Sequence, residues 1–240
     1  MKGLEMVLDL LSKYPPSSPA PPPTDEIAIF TAATDAFTKA NTNCTIAESL
    51  ARLESVTRKA IDKGLRVRGY VSVVISCPYT GKVDYNKVKE ASRALLDMGC
   101  YEVSLGDTVG TGTPTTVRAM LETVMSGSNG LPVEKLAGHF HDTFGTAVAN
   151  VVTALDMGVR TFDAAVGGLG GCPYSPGATG NVATEDIMYA LQGSKYSFAG
   201  DLDKMVDIGA WISDRLGRQN ASRAGKALLA KKHQETSGKM

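Results

Sequence analysis

Two histidines that are two residues apart form the first group in the chain that could do chemistry. They are His139 and His141, in the segment LAGHFHD at 136–142, which has the composition of a buried strand. Side chains two apart in a strand point to the same face, so both imidazoles can meet one metal ion. Asp142 follows directly and is a candidate to orient one of them. The alternative is a pair of ordinary polar histidines at a strand end.

A glycine-rich segment with one cysteine follows the next predicted strand. Residues 167–181, GGLGGCPYSPGATGN, contain six glycines, two prolines and Cys172. Glycine permits unusual backbone angles and close approach to a ligand, and an exposed cysteine between small residues can be reactive. The segment lacks the G-K-[ST] of a phosphate-binding P-loop. A lid with a reactive thiol and a plain surface loop both fit this composition.

Two further polar segments follow predicted strands. In LGDTVGTGTP (105–114), Asp107 ends a strand and a helix begins near Pro114. This segment fits either an anion site at a helix N-terminus or a simple turn. FTKANTNC (37–44) is predicted to be a polar loop that offers Lys39, Asn41 and Asn43 as ligand contacts, with a solvated loop as the alternative.

Alternating strands and helices must position these residues. We predict strands at 26–33, 66–75, 101–107, 136–142 and 160–166, and helices at 45–63, 85–98, 114–125 and 146–157. This alternation is typical of an α/β protein with a parallel sheet, and a (β/α)8 barrel places its site at the C-terminal strand ends. Closure needs eight strands. The predicted fold is therefore an incomplete TIM barrel of about five βα units, lacking the first strands, with C-terminal helices.

The same patterns predict four parts along the chain. They are 1–13, a helix of a preceding βα unit; 14–24, a proline-rich insertion; 25–195, the catalytic partial barrel; and 196–240, a C-terminal helical extension. Six prolines in residues 14–24 favour an extended, solvated segment. A ligand for a proline-reading domain is the alternative.

Composition argues against several classes of partner. The chain has 25 basic and 25 acidic residues, so neither nucleic acid nor an anionic membrane is a predicted partner. Its apolar runs are too short to span a bilayer, and the first residues do not resemble a targeting segment. Four separated cysteines without C-x-x-C suggest a reducing compartment.

Together, these segments resemble the 3-hydroxy-3-methylglutaryl-CoA lyase family, of the pyruvate-carboxyltransferase-like TIM-barrel superfamily. GGLGGCPYSPGATGNVATEDIMYAL resembles its signature loop, and HFHDTFGTAVAN its metal-binding strand and following helix. GCYEVSLGDTVGTGTP, RGYVS with CPYTGKV, and FTKANTNCTIAES match in family order over about residues 26–192.

The resemblance implies a role for eight residues. The metal ligands would be His139, His141 and Asn181; the catalytic residues Cys172, Asp107 and His139; and the substrate contacts Asn41, Arg68 and Tyr70. The ion would be Mg2+ or Mn2+. Bound to substrate oxygens, it would lower the pKa of the substrate hydroxyl.

The implied reaction cleaves 3-hydroxy-3-methylglutaryl-CoA into acetyl-CoA and acetoacetate, as in leucine degradation and ketone-body formation. His139 or Asp107 would accept the hydroxyl proton, and Cys172 would protonate the enolate. The resemblance also implies an acyl-CoA substrate, a mitochondrial matrix location and a homodimer. Because no targeting segment is recognised in this sequence, a cytoplasmic location is the alternative.

One family motif does not occur in the sequence. The family begins its barrel with an Arg-Asp-Gly motif whose aspartate binds the metal, and whose arginine stabilises the enolate. No such motif is found here. Three interpretations follow: an incomplete chain of a working lyase, a catalytically impaired relative that binds metal or acyl-CoA, or another Claisen-type lyase or synthase of the superfamily.

Overall fold

The central sheet has five parallel strands and is open within the described residues. A computed structural model describes residues 1–14, 20–171 and 180–237. Its strands are β1 (Glu26–Ala32), β2 (Arg66–Ser72), β3 (Ser76–Cys77), β4 (Gly81–Lys82), β5 (Glu102–Asp107), β6 (Leu136–Phe140) and β7 (Thr161–Asp163). The sheet order is β1-β2-β5-β6-β7, while β3 and β4 form a small antiparallel hairpin. The prediction of an incomplete TIM-barrel fold with five parallel strands is confirmed.

Helices connect the strands and continue after the last one. They are α1 (Lys2–Leu11), α2 (Asp35–Thr42), α3 (Ile46–Asp62), α4 (Tyr85–Asp97), α5 (Pro114–Met125), α6 (Ala147–Asp156), α7 (Thr184–Ala190), α8 (Leu202–Arg215) and α9 (Arg223–Ser237). Within the described ranges, none of them is long and apolar enough to cross a membrane.

Local sequence signals fix where several helices begin. Thr45 and Glu48 form a reciprocal capping box at the start of α3, which satisfies backbone donors that the helix cannot. A second capping box, Thr113 with Thr116, precedes α5, where Pro114 occupies the first turn. Both starts agree with those predicted from the sequence.

The prediction of a polar loop at 37–44 was wrong, because most of this segment belongs to helix α2. The Thr34 side chain accepts a hydrogen bond from the Phe37 amide and caps this helix. Asn43 ends it in the left-handed conformation, with φ 52°, which asparagine tolerates better than most residues. Phe37 is buried and anchors a helix of eight residues, too short to show a full apolar stripe.

The two faces of the sheet differ in chemistry. On β2 and β5, residues such as Val67, Val71, Val103 and Leu105 are buried in the hydrophobic core that also includes the helices. The alternate positions face the other way, and they are largely polar. These inner-face residues are Arg68, Tyr70, Glu102, Ser104, His139 and Asp163. The inner face therefore carries the candidate site.

Candidate active site

His139 is fixed by a carboxylate from the neighbouring strand. Its Nδ1 lies 3.1 Å from Oδ2 of Asp163, which is its register partner across β6 and β7. An ionised carboxylate can only accept, so Nδ1 carries the hydrogen. The side chain of His139 is 28% exposed, which leaves its other ring nitrogen available at the cavity.

Asp163 is itself held by two further donors. Ser104 Oγ donates to Oδ2 at 2.7 Å, and Arg68 Nη1 donates to Oδ1 at 2.6 Å. Burial raises the pKa of Asp163, but the hydrogen bonds from His139, Arg68 and Ser104 outweigh it and bring the pKa down to about 2. Asp163 is therefore an anion at neutral pH.

Arg68 is buried in a network of protein groups. Its Nε donates to Glu102 at 2.8 Å, and Nη1 donates to the Tyr70 hydroxyl at 2.5 Å as well as to Asp163. Burial lowers the pKa of Arg68, but its bonds to Asp163 and Glu102 outweigh that and raise it. The sequence suggested Arg68 as a substrate contact, whereas the structure gives it carboxylate partners beneath the site.

His141 and Asn181 meet at the edge of the sheet. They form an isolated antiparallel bridge, and the His141 ring centroid lies 5.4 Å from that of His139. His141 Nδ1 and Asn181 Oδ1 are buried and have no hydrogen-bond partner among the described residues. Burial, and secondarily His139, lower the pKa of His141 to about 4, so its ring is neutral at physiological pH.

With its hydrogen on Nε2, the neutral His141 ring offers Nδ1 as an acceptor, and Nδ1 and Asn181 Oδ1 then fit a divalent cation. A neutral imidazole nitrogen and a carboxamide oxygen are ordinary ligands, and leaving such atoms buried without a partner is costly. Within the described ranges, no group of three or more His, Cys, Asp or Glu side chains is arranged to hold a metal. The possible metal ligands that lie together are thus two imidazoles and one carboxamide, the set that the family resemblance implies.

Asp107 lies on the opposite face of the sheet from His139. Its carboxylate is fully buried and accepts backbone N–H bonds from Gly110 at 3.1 Å and Gly112 at 2.7 Å. Burial raises its pKa, while these amides partly offset the effect. Asp107 therefore organises the loop after β5, and its oxygens are already engaged.

A cavity of about 460 Å³ opens beside the histidines. It is lined by Phe30, Phe37, Asn41, Tyr70, Val71, Ser72, Gly106, Thr108, His139, His141 and Gly171. Asn41 and Tyr70, both predicted at the substrate, thus share one cavity with the two histidines. A larger cavity, of about 670 Å³, has a different lining that includes Ala33, Ile46 and Lys87, and none of the predicted site residues.

Cys172 lies outside the described residues, but the start of its glycine segment is described. The Gly167 amide donates to both carboxylate oxygens of the buried Glu185, at 3.0 and 2.9 Å. Asn181 Nδ2 donates to the Leu169 carbonyl at 3.0 Å. That bond orients the Asn181 amide and leaves its oxygen as the free acceptor.

The sequence suggested Asp142 as the residue that orients a histidine. In the structure its Oδ1 accepts from the Ala147 amide at 2.9 Å, at the start of α6, and its Oδ2 lies 3.4 Å from Arg223 Nη1. The carboxylate that contacts a histidine is that of Asp163, which sequence reasoning missed. The available signal was the polar residue at alternate positions of β7, where Thr161 and Asp163 flank Phe162.

Comparison with known proteins identifies the family. The model of the family described as HMGL-like matches residues 22–212. The chain belongs to the HMGL-like family. It is 52% identical over 210 residues to hydroxymethylglutaryl-CoA lyase of Pseudomonas mevalonii, a match that covers 88% of this chain and 69% of that protein.

Solved structures of HMGL-like proteins share the fold. The crystal structure of hydroxymethylglutaryl-CoA lyase from Pseudomonas aeruginosa gives a TM-score of 0.86 at 47% identity, covering 96% of this chain and 72% of that one. An HMG-CoA lyase from Acinetobacter baumannii, in complex with coenzyme A and 3-methylmalate, gives 0.80 at 29% identity, covering 93% and 69%. This chain therefore spans about seven tenths of the length of these relatives.

Proposed function

We propose that the chain is a divalent-metal-dependent carbon–carbon lyase that cleaves 3-hydroxy-3-methylglutaryl-CoA into acetyl-CoA and acetoacetate. One observation carries the proposal: the buried, unpartnered acceptors of His141 and Asn181 lie beside His139 at the C-terminal edge of a parallel sheet. The names of the relatives support the choice of reaction.

His139, His141 and Asn181 would hold Mg2+ or Mn2+. A bound ion would polarise the oxygens of the substrate and make its hydroxyl more acidic. His141 is neutral and Asn181 uncharged, so neither offsets the charge of the ion. Asp163, one hydrogen bond away from His139, supplies a negative charge beside the site.

Proton transfer is assigned to residues on the cavity side. His139 has one ring nitrogen left for the cavity, whereas Asp107 is buried and engaged by loop amides. Of the two candidates for accepting the hydroxyl proton, only His139 offers a nitrogen at the cavity, while Asp107 acts by shaping its loop. Because one lone pair cannot hold the ion and a proton at once, His139 would accept the proton only in a state in which this nitrogen does not ligate the ion. Cys172 stays the predicted donor to the enolate.

The substrate class, compartment and assembly follow from the family. Coenzyme A is bound by the Acinetobacter baumannii relative, and Asn41 lines the cavity of this chain. An acyl-CoA would therefore enter beside α2. A role in leucine degradation and ketone-body formation, a mitochondrial location and a homodimer are carried forward as part of the proposal.

The test of this proposal is metal binding. We expect the purified chain to bind Mn2+, measured by the loss of the free-ion electron paramagnetic resonance signal, and His141→Ala to abolish that binding. The matched control is His233→Ala, at an exposed position of α9, which should bind Mn2+ as the parent does. Mn2+ binding that survives His141→Ala would contradict the proposed site.

A second candidate function is binding of metal or acyl-CoA without turnover. The sequence observation that favours it is the lack of an Arg-Asp-Gly motif, because loss of a charge-stabilising group costs on the order of 100- to 1000-fold in rate. Acetoacetate release would be compared between this chain and one extended at its N-terminus to include that motif. Release by the extended chain alone would favour this second function for the 240 residues.

A further inference from the structure

Four strands beneath the cavity contribute a continuous row of ionisable groups. Glu102 of β5 pairs with Arg68 of β2 at 2.8 Å, Arg68 pairs with Asp163 of β7 at 2.6 Å, and Asp163 reaches His139 of β6 at 3.1 Å. The Arg68 and Glu102 side chains are only 9% and 10% exposed. The row therefore runs from the buried interior of the sheet to the imidazole.

We propose that Asp163 is a positioning residue for His139, and that Arg68 and Ser104 hold Asp163 in the required orientation. By accepting the Nδ1 hydrogen, Asp163 leaves the lone pair on Nε2 and directs it to the cavity. This inference rests on the proposed function, because it says how that site obtains a ligand or proton acceptor. In this proposal Arg68 holds Asp163 in place, whereas the family resemblance implied that it contacts the substrate.

The contacts leave Asp163 little freedom. Oδ1 accepts from Arg68, and Oδ2 accepts from both Ser104 and His139. A carboxylate with both oxygens occupied cannot rotate without breaking at least one charge-assisted bond. Its plane therefore fixes the direction of the Nδ1–H bond, and with it the plane of the imidazole.

Arg68 is fixed by the same logic. Glu102 takes its Nε, and the Tyr70 hydroxyl accepts from Nη1 while the guanidinium lies 5.0 Å from the Tyr70 ring centroid. A cation held from three sides serves as a rigid anchor for Asp163. Removing one partner of such a buried pair leaves a charge without compensation.

A structural salt bridge alone would stabilise the fold without determining the histidine tautomer, so the experiment reads the tautomer directly. The ring nitrogens of His139 are observed by ¹⁵N nuclear magnetic resonance in the metal-free protein, at mildly alkaline pH. We expect the hydrogen on Nδ1 in the parent chain. In Asp163→Asn, the amide can donate to Nδ1, and the hydrogen should move to Nε2.

The second readout is affinity for Mn2+. Loss of a residue that orients a metal-binding histidine typically costs about 10- to 100-fold in metal affinity, and we expect Asp163→Asn to fall in that range. The matched control is Glu102→Gln, which removes a carboxylate from the same row without touching His139. It should lower the melting temperature but keep the tautomer and the Mn2+ affinity.

A second variant covers the case in which Asp163→Asn does not fold. Asp163→Ala removes the acceptor of the Nδ1 hydrogen and places no donor there, so we expect a mixture of the two His139 tautomers. Ser104→Ala keeps the carboxylate that accepts this hydrogen and should leave it on Nδ1. A hydrogen that stays wholly on Nδ1 in each Asp163 variant that folds would overturn the inference, as would equal Mn2+ losses in Glu102→Gln and Asp163→Asn. If the parent chain binds no Mn2+, the proposed function fails, while the tautomer still decides this inference.

Discussion

The carboxylates of Asp107 and Asp163 are both buried, yet their surroundings give them different tasks. Asp163 accepts from side chains of three strands and stays ionised, with a pKa of about 2. Asp107 accepts from amides of its own loop, and burial raises its pKa. The hydrogen-bond partners of a buried carboxylate, more than its degree of burial, therefore decide whether it contacts the site or holds the local backbone.

Asp107→Asn should therefore destabilise the fold without weakening the metal site. Asparagine offers one acceptor oxygen, and its amide would face a backbone N–H of Gly110 or Gly112. A buried donor left unpaired costs about 1–3 kcal/mol. Urea denaturation would measure the loss, and Mn2+ affinity should stay at the parent value.

The control for this change is Asp9→Asn, whose side chain is 77% exposed. Exposed substitutions of this kind usually alter stability by no more than about 0.5 kcal/mol. An Asp107→Asn protein with parental stability but reduced Mn2+ affinity would show that Asp107 acts directly at the site.

Sequence patterns predicted the histidine pair but not the residue that orients it. His139 and His141 are two apart, so the geometry of one strand brings them together. Asp163 reaches Arg68 across 95 positions of the sequence, and such a contact depends on strand order and register. Each of these residues, taken alone, has the pattern of an ordinary polar position in a strand.

At the scale of the elements, helix starts were predictable where side chains cap the backbone, as at Thr45 and Thr113. The contacts between elements were not. Helix α8 packs against the turn that begins the glycine segment, with Gly209 facing Glu185 of α7. That contact depends on the distance between α7 and α8, which cannot be predicted from the local sequence of either helix.

Gly209→Ala tests this packing. Alanine in place of a mid-helix glycine normally stabilises by about 0.5–1 kcal/mol. Here the added Cβ would lie 2.1 Å from Oε1 of Glu185, which is held by Gly167. We expect a net loss of about 1–3 kcal/mol from overpacking, measured by thermal unfolding. The control, Gly3→Ala in α1, meets nothing within 4 Å and should not destabilise.

Glu185 should also make stability depend on pH. Burial raises its pKa above the ordinary value of 4.5, with Asp186 adding to the effect. An acid with a raised folded-state pKa contributes stability that is present below its unfolded pKa and lost as pH rises through the folded value. The melting temperature of the parent, relative to Glu185→Gln, should therefore fall as pH rises from below 4.5. A difference independent of pH would contradict this assignment.

At the scale of the whole molecule, the sheet combines a polar inner face with an open edge. Within the described residues, β1 pairs only with β2, and a strand with one neighbour exposes unpaired backbone groups along its other side. Phe30 lies on this strand, in register with Tyr70, and is 48% exposed. An apolar side chain beside unpaired backbone favours pairing between chains.

The chain should therefore self-associate through β1, and Phe30→Lys should reduce that association. A charge on an edge strand opposes pairing with a second strand, because pairing would bury or juxtapose the charges. In sedimentation equilibrium, the mass of the parent should rise with concentration beyond twice the 25.3 kDa of one chain, while that of the variant should not. Tyr189→Lys is the control, since Tyr189 is 53% exposed on α7, away from the edge. If the parent, Phe30→Lys and Tyr189→Lys all form a dimer of the same size, the interface lies elsewhere. Association through β1 should respond to a charge placed on that strand.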